Sequence, residues 1–248
     1  MIDILIPSYN DERIIRAIGS ITQHVCSNVF RIIIQDGGSD DHLIKHIGSV
    51  LRSSDKFICE ADNGIFDALN KLLDVSDSDW IGWIGADDLI NPDFNPHLIF
   101  ETPDVYSAVS FTTKLFDDKT HKVVREFRPT KSPMLRKYGF HLPHFSTFIR
   151  HSSILDLRFD PKYKQFADQL FFIEFEKKHL VSIIPKVVST FMAAGGTSNG
   201  GIKKTIRINR FLWSALKHHY GYLYSCVFVT LKALYKFTQI RQNDEILF

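Results

Sequence analysis

Residues 59–88, CEADNGIFDALNKLLDVSDSDWIGWIGADD, read as loop, helix, strand and acidic loop. Ile65, Ala68, Leu69, Leu72 and Leu73 fall at i, i+3, i+4, i+7 and i+8, so an apolar stripe predicts a helix that starts just after Asn63 and Gly64. That stripe must pack on a sheet. Asp67, Asn70 and Lys71 lie on the other faces, and the free N–H groups of the first turn, with the positive dipole end, favour an anion there. Trp80 to Ile84 reads as a short buried strand that breaks at Gly85 into Asp87 and Asp88. Two adjacent carboxylates at a strand end suggest a metal.

The same alternation runs upstream. Ile2 to Ile6 reads as a strand, followed by Pro7, Ser8, Tyr9 and Asn10 and by a helix with Ile14, Ile15, Ile18 and Ile21 on one face. Phe30 to Ile34 is followed by Asp36, Gly37, Gly38, Ser39 and Asp40 and a helix through Leu51; Lys56 to Cys59 opens a third unit. This order predicts an α/β fold with a mostly parallel sheet, in which ligands bind outside the carboxyl ends of the strands. Pro7 to Asn10, Asp36 to Asp40, Asp62 to Gly64 and Asp87/Asp88 all lie at those ends. No GxGxxG follows the first strand, acids occupy the second loop, and there is no Walker A sequence, which argues against a dinucleotide fold. A diphosphate here would need a cation bridge, and hard carboxylate oxygens suit Mg2+ or Mn2+.

Composition sets the frame. The chain has 248 residues, 44% of them apolar, enough for one domain and an appendage. Cys26, Cys59 and Cys226 are odd in number and widely spaced, so neither a disulfide framework nor a zinc site is indicated. Ile2 to Ile6 lacks the basic start and long apolar core of a secretory leader, so the cytoplasm is the expected location. The net charge of +2 hides an asymmetry: Lys203 to Arg241 holds eight Lys or Arg and no acid, while the body is mildly acidic.

Thr205 to His219 and Tyr222 to Phe237 read as two aromatic-rich helices interrupted at Gly221. The charge-free run Tyr220 to Leu231 falls short of the roughly 20 apolar residues that a span requires. Basic and aromatic residues together suit a helix lying on an anionic membrane, or packing on the body or on a second subunit as a homodimer contact. Nucleic acid is not expected as a partner, since no DNA- or RNA-binding motif accompanies the basic residues. Between body and tail, Val105 to Phe111, Thr113 to Phe116, Lys122 to Phe127 and Phe145 to Arg150 read as further strands. The expected boundary is the glycine-rich segment from Gly195 to Gly201.

Taken in order, Ile6-Pro7-Ser8-Tyr9-Asn10, Gln35-Asp36-Gly37-Gly38-Ser39-Asp40, Glu60 to Lys71 and Gly85-Ala86-Asp87-Asp88 resemble the successive motifs of the family-2 glycosyltransferases with the GT-A fold. Pro143 to Phe148, Ala167-Asp168-Gln169 and Gly195-Gly196-Thr197-Ser198 continue the resemblance, which is nearest to bacterial enzymes of colanic acid, O-antigen and capsule synthesis. It implies a catalytic domain over residues 1–200, with a nucleotide half to about residue 92 and an acceptor half beyond, and an extension over 201–248. It further implies a nucleotide-sugar site holding Pro7, Ser8, Tyr9, Asn10, Glu12, Asp36, Asp62, Asn63, Gly64, Asp67, Asn70, Lys71, Ala86 and Asp87. Pro7, Ser8, Tyr9 and Asp36 would grip the base, Asp87 would lie near the ribose and Asp88 would bind the metal. Asp168 matches the catalytic base, although Ala167 stands where the family has Glu, and His144 is a candidate for the acceptor or the diphosphate.

The resulting expectation is an inverting, metal-dependent enzyme at the inner face of the bacterial plasma membrane. It would move a sugar from a UDP-sugar to a glycan or an undecaprenyl-diphosphate-linked acceptor. Plainer readings stand beside it. An Asp-Asp pair also suits a helix cap, Asp36 to Asp40 a simple turn, Asp67 and Lys71 an exposed ion pair, and His144 a structural hydrogen bond. Two other classes share the carboxylates. A nucleotidyl-transfer enzyme would want a Gly-rich phosphate loop after the first strand, and a binding protein would not need to keep Asp36, Asp87, Asp88 and Asp168 together.

Overall fold

The computed structural model describes residues 1–118, 120, 122–137, 142–193, 210, 212–214, 216–217 and 220–231. The chain divides into two compact units, Met1–Pro129 with Leu142–Ala194, and Thr130–His141 with Gly195–Phe248. In order, the first unit holds β1 (Ile2–Ser8), α1 (Ile14–Thr22), β2 (Phe30–Asp36), α2 (Asp41–Val50), β3 (Lys56–Cys59), α3 (Ile65–Val75) and β4 (Trp80–Trp83). There follow β5 (Leu89–Ile90), α4 (His97–Phe100), β6 (Ala108–Phe116) and β7 (Val123–Phe127), then, past α5 (Pro133–Lys137) of the second unit, β8 (Thr147–Arg150), α6 (Ala167–Phe175) and β9 (Val181–Ala193).

One mixed sheet runs β3-β2-β1-β4-β8-β6-β9-β5, with β7 beside the far end of β6. The first four strands are parallel, as the strand-helix alternation predicts, and β8 reverses the direction. Register sorts the side chains between two faces. Ile2 lies opposite both Phe30 and Trp80, and Ile2, Ile4 and Ile6 join Ile14, Ile18 and Ile21 of α1 and Leu43 and Ile47 of α2 in one core. Leu5, one residue out of phase, pairs with Trp83. Trp83 packs edge-on against Phe159 and Phe171 on the opposite face. Each fully buried Leu or Ile contributes about 1.5–3 kcal/mol.

Helix α3 starts after Gly64 and buries Ala68, Leu69, Leu72 and Leu73, while Ile65, its first residue, stays half exposed and is not part of the packed stripe. The expected pause between Phe111 and Thr113 is not a strand break. β6 is continuous there, but its pairing with β9 slips at Thr112, and the slip disturbs the alternation. Phe145 and Ser146 belong to a 3-10 turn, His144–Ser146, and β8 begins only at Thr147. The longest strand, β9, has no counterpart in the sequence reading.

At the amino ends of the parallel strands Asp3 is fully buried. Arg31 donates to both its oxygens at 2.8 Å, Ser76 Oγ and Ser78 Oγ donate at 2.6 and 2.7 Å, and the amides of Asp77 and Ser78 add two more bonds at 3.2 Å.

In the second unit residues 222–231 are helical, entered through Gly221 at φ 82°. Leu212, Leu216 and Phe228 are buried, Trp213 meets Tyr222 at 5.7 Å, and Lys217 Nζ lies 5.1 Å from the Trp213 ring centre. Tyr222 and Leu223 are exposed. Gly195 to Gly201, the last motif and part of each expected tail helix lie outside the described residues. Among the described residues no helix is long and apolar enough to cross a membrane.

Candidate active site

The carboxyl ends of β1, β2 and β4 place three polar loops together. Strand β1 ends at Pro7 and Ser8, both buried, and hands the chain to Tyr9, which is 64% exposed. The Ser8 hydroxyl is buried with no hydrogen-bond partner. An orphaned polar atom at a strand end is costly unless a ligand completes it. Asn10, at φ 47°, ties this loop to the next: its amide donates to Ser39 Oγ at 2.7 Å and its Oδ1 accepts from Asp40 N at 3.1 Å. Glu12 is exposed at the approach to α1.

Asp36 lies beneath that second loop. It is fully buried, with Oδ1 accepting from the amides of Gly38 and Ser39 and Oδ2 from the Ser39 hydroxyl. The carboxylate thus shapes the loop from within. A β-carbon on Gly37 would stand 2.8 Å from Asp62 Oδ2 and 3.3 Å from the Tyr9 ring, so Tyr9, residue 37 and Asp62 converge on one spot that only glycine fits.

The head of α3 is occupied by acids. Asp62 Oδ1 accepts from Gly64 N at 2.8 Å and Asp67 Oδ2 from Asn63 N at 2.9 Å, so an anion arriving there would meet two carboxylates. Lys71 does not pair with Asp67; it binds Glu60 Oε1 at 2.8 Å and the Ala61 carbonyl at 2.7 Å. Asn70 is turned to structure, its amide group donating to the Phe159 carbonyl at 2.8 Å and accepting from the Phe159 amide at 2.9 Å. These residues brace the loop after β3 and the segment leading to Asp168.

After β4 come Ala86, buried, Asp87, partly exposed, and Asp88, 2% exposed. Asp88 Oδ2 accepts from Gly85 N at 2.8 Å and Oδ1 from Ala193 N at 3.1 Å, at the end of β9. Burial, then the charge of Asp87, pushes the Asp88 carboxyl up to about 7, against the pull of the two amides and Arg13. Burial also raises Asp87, against Arg13, whose Nη1 lies 3.2 Å from Asp87 Oδ2.

A β-carbon at Gly85 would stand 2.8 Å from Asp87 Oδ1 and 2.9 Å from Asp88 Oδ2, so both carboxylates reach the same spot beside residue 85. Two converging hard oxygens with a shortage of positive charge fit a divalent cation that takes its remaining ligands from phosphate and water. Among the described residues no group of three His, Cys, Asp or Glu could hold one from protein alone.

Two features escaped the sequence reading. Arg13 is paired with Asp11 at 2.7 Å and lies near Asp87 and Asp118, and Arg16 meets Asp118 at 2.7 Å. A signal was present: an arginine at the amino end of a helix opposes the dipole and calls for nearby acids. The second is the contact between two residues singled out separately, His144 Nδ1 and Asp168 Oδ2, 3.1 Å apart. Asp168 lies in the first turn of α6, whose Leu170, Phe171, Ile173 and Phe175 are buried as expected.

A model of the family described as "Glycosyl transferase family 2" matches residues 3–161. The chain belongs to glycosyl transferase family 2. Curated relatives include the "PGL/p-HBAD biosynthesis glycosyltransferase" of Mycobacterium bovis and of Mycobacterium tuberculosis, each 30% identical over 93 residues. The chain spans 36% of the length of these relatives, over 36% of its own. Among solved structures, S. aureus TarS 1-349 in complex with UDP-GlcNAc aligns with a TM-score of 0.63 at 14% identity, covering 87% of this chain and 66% of that one. The mannosyltransferase PcManGT from Pyrobaculum calidifontis, in complex with GDP-Man and Mn2+, aligns at 0.62 and 14%, covering 92% and 69%. The family-2 chain therefore has the GT-A fold.

Proposed function

We propose that this family member is an inverting, metal-dependent glycosyltransferase that moves a sugar from a nucleotide donor, a UDP-sugar first, to a hydroxyl of a growing bacterial surface glycan on a lipid carrier such as undecaprenyl diphosphate. The observation that carries the reading is the place of Asp88, a carboxyl 2% exposed beside the Asp87 carboxylate just past the carboxyl end of β4; burial and the Asp87 charge push it up to about 7, and added positive charge would ionise it. A nucleoside diphosphate arriving with a divalent cation supplies that charge. Neighbours of the fold solved with UDP-GlcNAc, or with GDP-Man and Mn2+, support such a donor.

In this reading Tyr9 and Pro7 hold the base over the loop that Asp36 shapes, the orphaned Ser8 hydroxyl finds its partner on the ligand, and Ala86 and Asp87 border the ribose. Asp88, with Asp87 beside it, would hold the cation. When bound, the cation stabilises charge that builds on the diphosphate leaving group. The acceptor oxygen attacks sugar C1 from the face opposite the diphosphate. As that bond forms, the bond from C1 to the diphosphate oxygen breaks with its electron pair leaving on the nucleoside diphosphate, and the hydroxyl proton passes to Asp168. A single displacement inverts the anomeric centre.

Residues 1–200 carry this chemistry, with the base and diphosphate on 1–92 and the acceptor on 93–200. Residues 201–248 dock on the anionic inner face of the plasma membrane, a reading supported by the exposed Tyr222 and Leu223. The full chain should sediment with anionic vesicles and release them as salt rises; equal sedimentation with neutral vesicles would return the extension to packing or to a dimer contact.

Calorimetry tests the site itself. UDP should bind at least about tenfold more tightly with Mn2+ than with chelator, and Asp88→Ala should abolish the difference. Equal affinity in the wild type with and without Mn2+ overturns the metal assignment, and release of no nucleoside diphosphate from any of UDP-, GDP-, CMP- and dTDP-sugars overturns the transferase.

A further inference from the structure

Asp168 is not the cap of its helix. The N-cap of α6 is Phe166, and no side chain caps that end. The partner of Asp168 Oδ2 is instead His144 Nδ1, at 3.1 Å, which comes from a different part of the fold. A carboxylate paired with one ring nitrogen fixes both the tautomer and the orientation of an imidazole, and the imidazole in turn fixes the carboxylate.

What holds His144 makes the contact more than a chance surface pair. His144 opens the 3-10 turn His144–Ser146, and the side chains of Ser146 and Thr147 are anchored in a buried cluster of hydroxyls. Ser146 Oγ meets Thr113 Oγ1 at 2.6 Å and Thr190 Oγ1 at 2.5 Å, while Thr147 Oγ1 donates to the Pro143 carbonyl and meets Ser110 Oγ, both at 2.8 Å. All five hydroxyl residues are at most 2% exposed. Alanine or valine would fill these sheet positions without the desolvation cost of a hydroxyl, so a cluster tying β6, β9 and the turn together has fixed geometry as its return. His144 and Asp168 themselves remain 31% and 19% exposed, within reach of a substrate hydroxyl. The Phe145 ring, centred 4.0 Å from the imidazole, borders its remaining freedom.

We propose that His144 is the positioning residue of the base: its Nδ1–H donates to Asp168 Oδ2 and leaves Asp168 Oδ1 directed at the acceptor hydroxyl. This rests on the reading of Asp168 as the base and gives that base a rigid support. Transfer of the acceptor proton still ends on Asp168, and His144 keeps its own proton throughout.

Two measurements on the full chain test it. In protein labelled with nitrogen-15 histidine, long-range proton-nitrogen correlation, with the His144 signal identified by its loss in His144→Asn, should find the proton on Nδ1. A bare Nδ1 overturns the proposal. This readout does not depend on turnover, so a wild type that consumes none of the nucleotide sugars sinks the proposed function while the pairing is still decided.

Where UDP-GlcNAc or another of those sugars is consumed, His144→Phe, shown folded by its melting curve, should lower kcat roughly tenfold to a hundredfold with donor KM unchanged. His144→Asn, whose amide N–H stands near the place of Nδ1–H, should restore kcat to within a few-fold. Unchanged kcat in His144→Phe overturns the proposal. So does a raised donor KM alone, which would put His144 on the diphosphate. A His144→Asn enzyme as slow as Asp168→Asn would make the imidazole itself the base and would overturn it as well.

Discussion

Two buried aspartates sit at opposite ends of the same parallel strands, and their surroundings could hardly differ more. Asp3, at the amino end, has Arg31 on both oxygens and two serine hydroxyls and two amides besides. Burial pushes its carboxyl up, but the hydrogen bonds from Arg31, Ser76 and Ser78 and the Arg31 charge outweigh it and hold the group below the usual range. Asp88, at the carboxyl end, has two amides and a neighbouring carboxylate, and is pushed up to about 7. A buried charge that the protein has satisfied marks a structural site. One left short of compensation, at the strand ends where ligands bind, marks a place for something else.

Removing each group separates the two cases. Asp3→Ala takes the buried carboxylate from four polar donors and from Arg31, which keeps only the exposed Asp77 as an ion-pair partner among the described residues, and should cost about 3–5 kcal/mol in urea unfolding. Asp88→Asn, measured at pH 8 in chelator, should be neutral or stabilising by up to about 3 kcal/mol: relief of a charge held at about 7 instead of 3.8 is worth at most about 4 kcal/mol, less about 1 kcal/mol for the hydrogen bond an amide cannot accept. The pH slopes should also oppose. Between the ordinary aspartate value of 3.8 and about 7 the native state holds the Asp88 proton that the unfolded chain has released, so stability falls as pH rises, and Asp88→Asn should flatten that limb. Asp3 titrates below 3.8 in the native state, so its contribution is complete above that value and is lost on further acidification. An Asp88→Asn protein destabilised as much as Asp3→Ala would make Asp88 a structural residue too.

The sequence made this end of the sheet legible because its signals are local. Strand, polar loop and amphipathic helix repeat from Ile2 to Asp88, and four loops could be assigned to one edge from periodicity and topology alone. What was hidden depends on distant pairing. Ala193 N, which holds Asp88, lies 105 residues away at the end of β9. That strand, VSIIPKVVSTFMA, carries Pro185 and a register shift against β6, and neither alternates cleanly. Asn70 looked like a ligand group from its place in a motif, yet its partner Phe159 is 89 residues on. The pairing of His144 with Asp168 was out of reach for the same reason, since two residues named for separate roles become one device only in three dimensions.

The smallest effect concerns Arg13, the cation that lies beside Asp87 at the acidic end. Arg13 Nη1 lies 3.2 Å from Asp87 Oδ2, but the side chain is 44% exposed and its shortest pair is with Asp11 at 2.7 Å. Asp11 holds it firmly: the hydrogen bonds that the guanidinium donates to that carboxylate, with the charges of Asp87, Asp11 and Asp118, outweigh burial and raise the guanidinium pKa further. Toward Asp87 it therefore acts as a screened countercharge, of the order of 0.2–1 kcal/mol for an exposed pair. Arg13→Gln should leave the Asp87/Asp88 pair more negative and tighten Mn2+ binding, without nucleotide, by roughly 1.4-fold to fivefold in calorimetry. Salt should shrink the gain, because an exposed charge is screened while Asp88 is not. If Arg13→Gln instead weakens Mn2+ binding, the arginine holds Asp87 in place for the cation, and the acidic end of the sheet is preorganised rather than merely left short of charge.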